Sequence, residues 1–115
     1  MKLIVAVIQP TKLDSVRTAL AEVAVERLTV FDAEGYGRQR GQTATFRGIE
    51  YQTNLLRKVI VEVAVNDDFL ERTLAIIENV ARTGVEGNIG DGKILVIPIE
   101  QVVQIGGKER GPSAV

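Results

Sequence analysis

Cysteine, histidine and tryptophan are all absent from the sequence. Without cysteine there is no disulfide and no thiol nucleophile, and without cysteine and histidine together the usual zinc sites cannot be built. Without histidine a Ser-His-Asp triad lacks its base. Aromatic residues make up only 4% of the chain, so any core has to be assembled from Val, Ile and Leu. An excess of one charge is also lacking. The net charge of −1 supplies no general positive field for nucleic acid. No apolar run approaches the roughly 18 to 20 residues needed to span a membrane. The opening stretch "MKLIVAVIQP" stops at Pro10 without a small-residue cleavage site, so it reads as a first strand rather than a signal peptide. The absence of cysteine fits a reducing compartment, and a cytoplasmic location is expected.

What is present is ordinary in amount and specific in arrangement. A chain of 115 residues, 45% hydrophobic and 25% charged, is one domain with an aliphatic core, small enough to gain from burying more surface in an oligomer. Residues 2–9 are β-rich and apolar throughout, as in a central strand. Pro10-Thr11 breaks the strand, Thr11 and Asp14 have capping-box spacing, and Leu13, Val16, Leu20 and Val23 predict an amphipathic helix over 12–23. A strand is predicted over 27–36 and another over 58–65, and a helix over 67–82 with Leu70, Thr73, Leu74, Ile77 and Ala81 on one face. The run "KILVIPI" is a further strand, and Val102, Val103 and Ile105 suggest a last short one. Residues 106–115 are expected to be a flexible tail. The order β-α-β, long loop, β-α-β is that of an α+β, ferredoxin-like split βαβ with both helices on one sheet face. Val59, Val61, Val63 and Val65 form one face of the strand 58–65. Ile60 and Ala64 form the other, interrupted by Glu62, which predicts a subunit interface on the face without helices.

Three constellations carry chemistry. The stretch "GVEGNIGDGK", Gly84–Lys93, combines four glycines with a lysine before a strand. Such glycines permit positive φ, their successive N–H groups can form an anion nest, and Lys93 adds a point charge. A solvated connection would have the same composition. A Walker A loop is excluded, because the glycines precede a strand and no Ser or Thr follows the lysine. The second is "GYGRQRG", Gly35–Gly41, where Gly37 allows close approach, Arg38 and Arg40 are cationic and Gln39 offers donor and acceptor; a twisted strand end with solvated arginines would look the same. It opens the segment 37–57, which is too long for an ordinary connection. The third is Glu62, a carboxylate among apolar residues that needs a partner, from a neighbouring subunit or a ligand amine. Lys58 begins the same strand.

In order, "GYGRQRG", "FRGIEY", "LLRKVIVEVAV" and "ARTG…IGDGKI" resemble the PII nitrogen-regulatory signalling family over roughly residues 1–105. The resemblance implies a homotrimer with adenine-nucleotide sites in the clefts between subunits, a T-loop at about 37–57 that contacts partner proteins, and a B-loop at about 82–93. It implies that Gly37, Arg38 and Gln39 touch nucleotide phosphates and that Gln39 also helps hold Mg²⁺ and 2-oxoglutarate. It further implies that Lys58 pairs with the 2-oxoglutarate carboxylate, that Thr29 and Glu62 lie near the adenine, and that Gly90, Asp91, Gly92 and Lys93 bind phosphate. Tyr51 matches a tyrosine that some bacterial members carry as a uridylylation site. The neighbouring position, a phosphorylatable serine in cyanobacterial members, is Ile49 here. Expected ligands are ATP or ADP, with AMP open, Mg²⁺ with ATP, and 2-oxoglutarate as effector. Expected partners are proteins such as an ammonium transporter or a metabolic enzyme, and neither catalysis nor membrane insertion is expected.

The sequence departs from the family twice. Val85–Asn88, "VEGN", is an apparent insertion of about three residues in the B-loop. The family's Arg-x-Arg pair near the end falls on Gln104 and Gly106, with Lys108 and Arg110 close by. Charge-assisted contacts are worth roughly 1.5–3 kcal/mol each, so their loss would weaken ATP binding by orders of magnitude. A divergent sensor preferring ADP or AMP and another small anion such as bicarbonate, outside nitrogen control, is therefore the second expectation.

Overall fold

The computed structural model describes residues 1–37, 45–46, 49–50 and 54–115. The elements are β1 (Lys2–Ile8), a 3-10 turn (Pro10–Lys12), α1 (Leu13–Ala21), β2 (Leu28–Gly37), β3 (Thr45–Phe46), β4 (Ile49–Glu50), β5 (Asn54–Val65), α2 (Asp67–Ala81), β6 (Gly92–Pro98) and a final 3-10 turn (Gly111–Ala114). Four strands form one sheet in the order β2-β5-β1-β6, and each neighbouring pair is antiparallel. This is the expected ferredoxin-like arrangement.

Alternation decides which face carries the helices. In β1, Ile4, Ala6 and Ile8 are buried, and in β5 so are Val59, Val61, Val63 and Val65. They join Val16 and Leu20 of α1 and Ile77 and Ala81 of α2 in one aliphatic cluster. Thr73, also fully buried, satisfies its hydroxyl by donating to the Phe69 carbonyl one turn back at 2.7 Å. The opposite face carries Leu3, Val5 and Val7, flanked across the register by Ile60, Glu62 and Ala64 on one side and by Lys93, Leu95 and Ile97 on the other. No element among the described residues covers that face, and Leu95 and Ile97 are exposed.

Four local features differ from expectation. The capping box does not form: Lys12 occupies the N-cap of α1 without a side-chain cap bond, because Pro10 starts a 3-10 turn that already contains Thr11. Asp14 lies 3.6 Å from Arg17 instead. The end of α1 is a Schellman turn that the sequence concealed, since its left-handed residue is Ala24 (φ 64) rather than glycine. Val25 N–H donates to Leu20 O at 2.9 Å and Ala24 N–H to Ala21 O at 3.0 Å. β5 begins at Asn54, four residues inside the expected loop, because Gly37 to Glu34 of β2 pair with Asn54 to Arg57. Within the same segment β3 and β4 pair with each other.

The fourth is the carboxy-terminal segment. The last short strand is reduced to a single bridge, Val103 to Arg110, and Ile105 is fully exposed. Residues 106–115, expected to fray, instead fold back: Gly111 N–H donates to Val102 O at 2.8 Å, Ala114 is buried, and the Asn66 side-chain amide donates to Pro112 O at 3.0 Å. Two consecutive glycines, Gly106 and Gly107, lie in the turn of this hairpin, and apolar Ala114 anchors its end.

Candidate functional site

The antiparallel register fixes one end of the sheet. Ile8 lies opposite both Val59 and Gly92, so the next residues outward are Lys58, Gln9 and Asp91, side by side on β5, β1 and the approach to β6. The Lys58 ammonium donates to the carbonyl of Gly90. Gln9 Nε2 donates to the same carbonyl and to Asp91 Oδ1, each at 3.3 Å. Lys58 and the glycine loop, expected to act together, are therefore in direct contact. They sit where the β2–β5 ribbon leaves the sheet towards residues 37–57.

The loop from Thr83 to Gly92 is built around one carboxylate. Asp91 Oδ2 accepts from Thr83 N–H at 2.9 Å and from Asn88 N–H at 2.8 Å, and Oδ1 accepts from the Thr83 hydroxyl at 2.7 Å. The Asn88 side chain closes the ring by donating to Thr83 Oγ1 at 2.7 Å. Burial pushes the Asp91 carboxyl up, but the hydrogen bonds from Thr83 and Asn88, helped by the charge of Lys12, outweigh it and hold the group below the ordinary carboxylate range. The backbone N–H groups of Ile89 and Gly90 have no partner among the described residues. Gly92 is obligatory: with φ at 115°, a Cβ there would be driven into the Val7 carbonyl oxygen.

The remaining expected residues lie elsewhere on the open face. Thr29 is opposite Glu62 across β2 and β5, and Glu62 is opposite Val5. Glu62 is half-buried, and its carboxylate has no ion-pair or hydrogen-bond partner among the described residues. At the opposite end of the sheet a cleft of ≈ 370 Å³ lies between the end of α1 and the start of α2, lined by Val25, Arg27, Val65, Asn66, Phe69 and Val115. Lys93 is on β6 opposite Val7, exposed. At about 4.8 Å per strand, Lys93 is two interstrand steps, roughly 10 Å, to the side of Glu62 and a further step from Thr29. One chain thus brings together Lys58, Gly90 and Asp91, has Lys93 line the same cleft as Asp91 and Gly92, and separately pairs Thr29 with Glu62, away from Lys93. Gly37 ends β2 opposite Asn54. Arg38, Gln39 and Tyr51 lie outside the described residues.

Gln9, Thr83 and Asn88 carry no signal in the sequence that marks them as site residues. Thr83 stands in "ARTG", and its position eight residues before Asp91 becomes a contact only once the loop closes. Asn88 belongs to the apparent insertion, which divides: Val85 is 92% exposed, whereas Asn88 turns inward to Thr83 and Asp91. A second cleft, ≈ 460 Å³, opens between the end of α2 and β6, lined by Ile77, Glu78, Arg82, Glu86, Asp91 and Lys93 among others.

The family description "Nitrogen regulatory protein P-II" matches residues 1–109. The chain belongs to the nitrogen regulatory protein P-II family. Across its full 115 residues it is 45% identical to nitrogen regulatory protein GlnK1 of Methanosarcina mazei, covering 97% of that protein. It is 47% identical to nitrogen regulatory protein P-II of Azospirillum brasilense and 43% identical to nitrogen regulatory protein P-II 1 of Escherichia coli K12, covering all of each. P-II proteins are signalling regulators and not enzymes, which is the role expected from the motifs. Among the described residues no helix is long and apolar enough to cross a membrane.

Proposed function

We propose that this P-II chain is a trimeric sensor of adenine nucleotide and 2-oxoglutarate that regulates nitrogen-metabolism partners through residues 37–57. The observation that carries this is the contact between Lys58 and Gly90. It joins the residue expected to take a carboxylate to the loop expected to take phosphate, at the root of the regulatory segment. ATP or ADP phosphates would lie on Gly90, Gly92 and Lys93 together with Gly37, Arg38 and Gln39, and the adenine beside Thr29 and Glu62. The separation of Glu62 from Lys93 across one sheet supports clefts completed by a second copy, and the unpartnered Glu62 carboxylate supports a ligand or a neighbour as its partner. Mg²⁺ would be held by nucleotide phosphates and Gln39; no acidic cluster among the described residues could hold a metal ion by itself. Mg²⁺ bound there would supply positive charge to both the phosphates and the keto acid, so each ligand would favour the other and the two affinities would be reciprocally linked. The cell compartment in this reading is the cytoplasm, and Tyr51 is the candidate for modification.

A second reading, a sensor preferring ADP or AMP and another small anion such as bicarbonate, is favoured by the carboxy-terminal hairpin. There the Gln104 side chain folds over Gly107, and Gly106 has no side chain, so the two aligned positions supply no cation. Titration calorimetry with ATP, ADP and AMP, with and without Mg²⁺ and 2-oxoglutarate, separates the readings. The first expects 2-oxoglutarate heat only in the presence of Mg·ATP. No heat under that condition rejects it, and tighter AMP or ADP than ATP establishes the second.

A further inference from the structure

An aspartate in the middle of a loop proposed to hold phosphate adds negative charge where negative charge is to be bound. A metal ligand or a direct contact to the nucleotide would account for such a residue. The hydrogen bonds point elsewhere. An ionised carboxylate offers about four lone-pair positions. Those of Asp91 are all engaged: Thr83 Oγ and Gln9 Nε2 on Oδ1, and the Thr83 and Asn88 backbone N–H groups on Oδ2. These donors come from three places, the end of β1, the residues after α2 and the insertion. The carboxylate therefore ties the whole loop to the sheet. Gly90, next in the chain, is held from outside by Gln9 and Lys58 through its carbonyl.

We propose that Asp91 is a positioning residue: its carboxylate acts as a built-in anion around which residues 83–92 fold, keeping the phosphate cradle formed before ligand arrives. It touches neither the phosphates nor the metal. A donor-saturated carboxylate has no lone pair to give Mg²⁺ without dismantling the loop. Its charge is also spread over four donors, so it repels an incoming phosphate far less than a free aspartate would. The amides of Ile89 and Gly90 are then presented without an ordering cost at binding. Asn88 gives the insertion a purpose, since it supplies one of the four donors and closes the ring through Thr83.

The proposal rests on the nucleotide reading, and the experiment separates the two. Asp91→Asn keeps the shape but removes the charge and half of the acceptor capacity. Titration calorimetry of the full chain with ATP and with inorganic tripolyphosphate is expected to show affinity falling about 10- to 100-fold, the range for losing charge-assisted hydrogen bonds. The factor should be the same with and without Mg²⁺, and the Mg²⁺ midpoint should not move. Thr83→Val, which deletes one donor and leaves the carboxylate, should lower affinity in the same direction by a smaller factor, and it serves if Asp91→Asn fails to fold. In ligand-free protein the Asn88 amide should exchange with solvent faster in either variant. Unchanged affinity, or a loss seen only with Mg²⁺, overturns the positioning role, the latter making Asp91 a metal ligand. If the unaltered chain binds neither ATP nor tripolyphosphate, the nucleotide reading fails instead. The Asn88 exchange rate still decides whether Asp91 orders the loop.

Discussion

Ala24 and Asp67 show how single residues set local stability. A non-glycine residue at positive φ costs roughly 1–2 kcal/mol, and Ala24 accepts that strain so that Val25 can bury behind Leu20. Ala24→Gly is therefore expected to raise stability by about 1 kcal/mol, less the extra backbone entropy of glycine in the unfolded chain; urea unfolding measures it. Asp67 takes the amino terminus at 3.0 Å and Lys2 at 3.4 Å. The hydrogen bond from the amino terminus and the Lys2 charge hold its carboxyl below the ordinary value of 3.8. Because its folded pKa lies below the unfolded one, its contribution is present above pH 3.8 and is lost as pH falls through the folded value. Asp67→Asn should thus lower the thermal midpoint at about pH 7 but converge with the unaltered chain at strongly acid pH, with added salt narrowing the gap. A constant difference across pH would rule this ion pair out as the source.

Among the elements, the carboxy-terminal hairpin departs furthest from its sequence pattern. Glycines, charged residues and a proline suggest a tail without structure, yet Gly111 pairs with Val102 and Asn66 holds Pro112. Ending the chain after Arg110 removes the Gly111–Val102 bond, the Asn66 bond and the burial of Ala114. The expected cost is about 1 kcal/mol, or roughly 4 °C in the thermal midpoint. Amide exchange at Gly111 in the full chain should be slow, and a truncated chain with an unaltered midpoint would show that the docking contributes nothing. The helices and central strands are legible in the sequence because their apolar periods, about 3.6 and 2, coincide with the buried faces. The ends are not. Schellman turns announce themselves by glycine, and here alanine serves. Capping boxes announce themselves by spacing, and here a 3-10 turn pre-empts one.

At the scale of the whole molecule, the sheet is finished on one side only. Leu3, Val5, Val7, Ile60, Leu95 and Ile97 share the face without helices, far too apolar a surface for a monomer to leave in water. Val5→Glu, placed beside Glu62 in the register, should convert an assembled species into monomer in sedimentation velocity. An assembly that survives this change would mean that copies of the chain do not cover the face. The same variant should abolish nucleotide binding if the clefts need a second copy.

The sequence by itself determined the order of the elements, the aliphatic core and the identities of Lys58, Glu62 and the glycine loop, because these depend on period, composition and short-range spacing. It also carried the family resemblance that the P-II match established. Only the tertiary structure decided that Lys58 meets Gly90, that Gln9, Thr83 and Asn88 converge on Asp91, and that the carboxy terminus packs against the start of α2. Each is a contact between residues distant in the chain or joined only by loop closure, fixed by strand register and turn geometry, and no local pattern of amino acids encodes where such partners will stand.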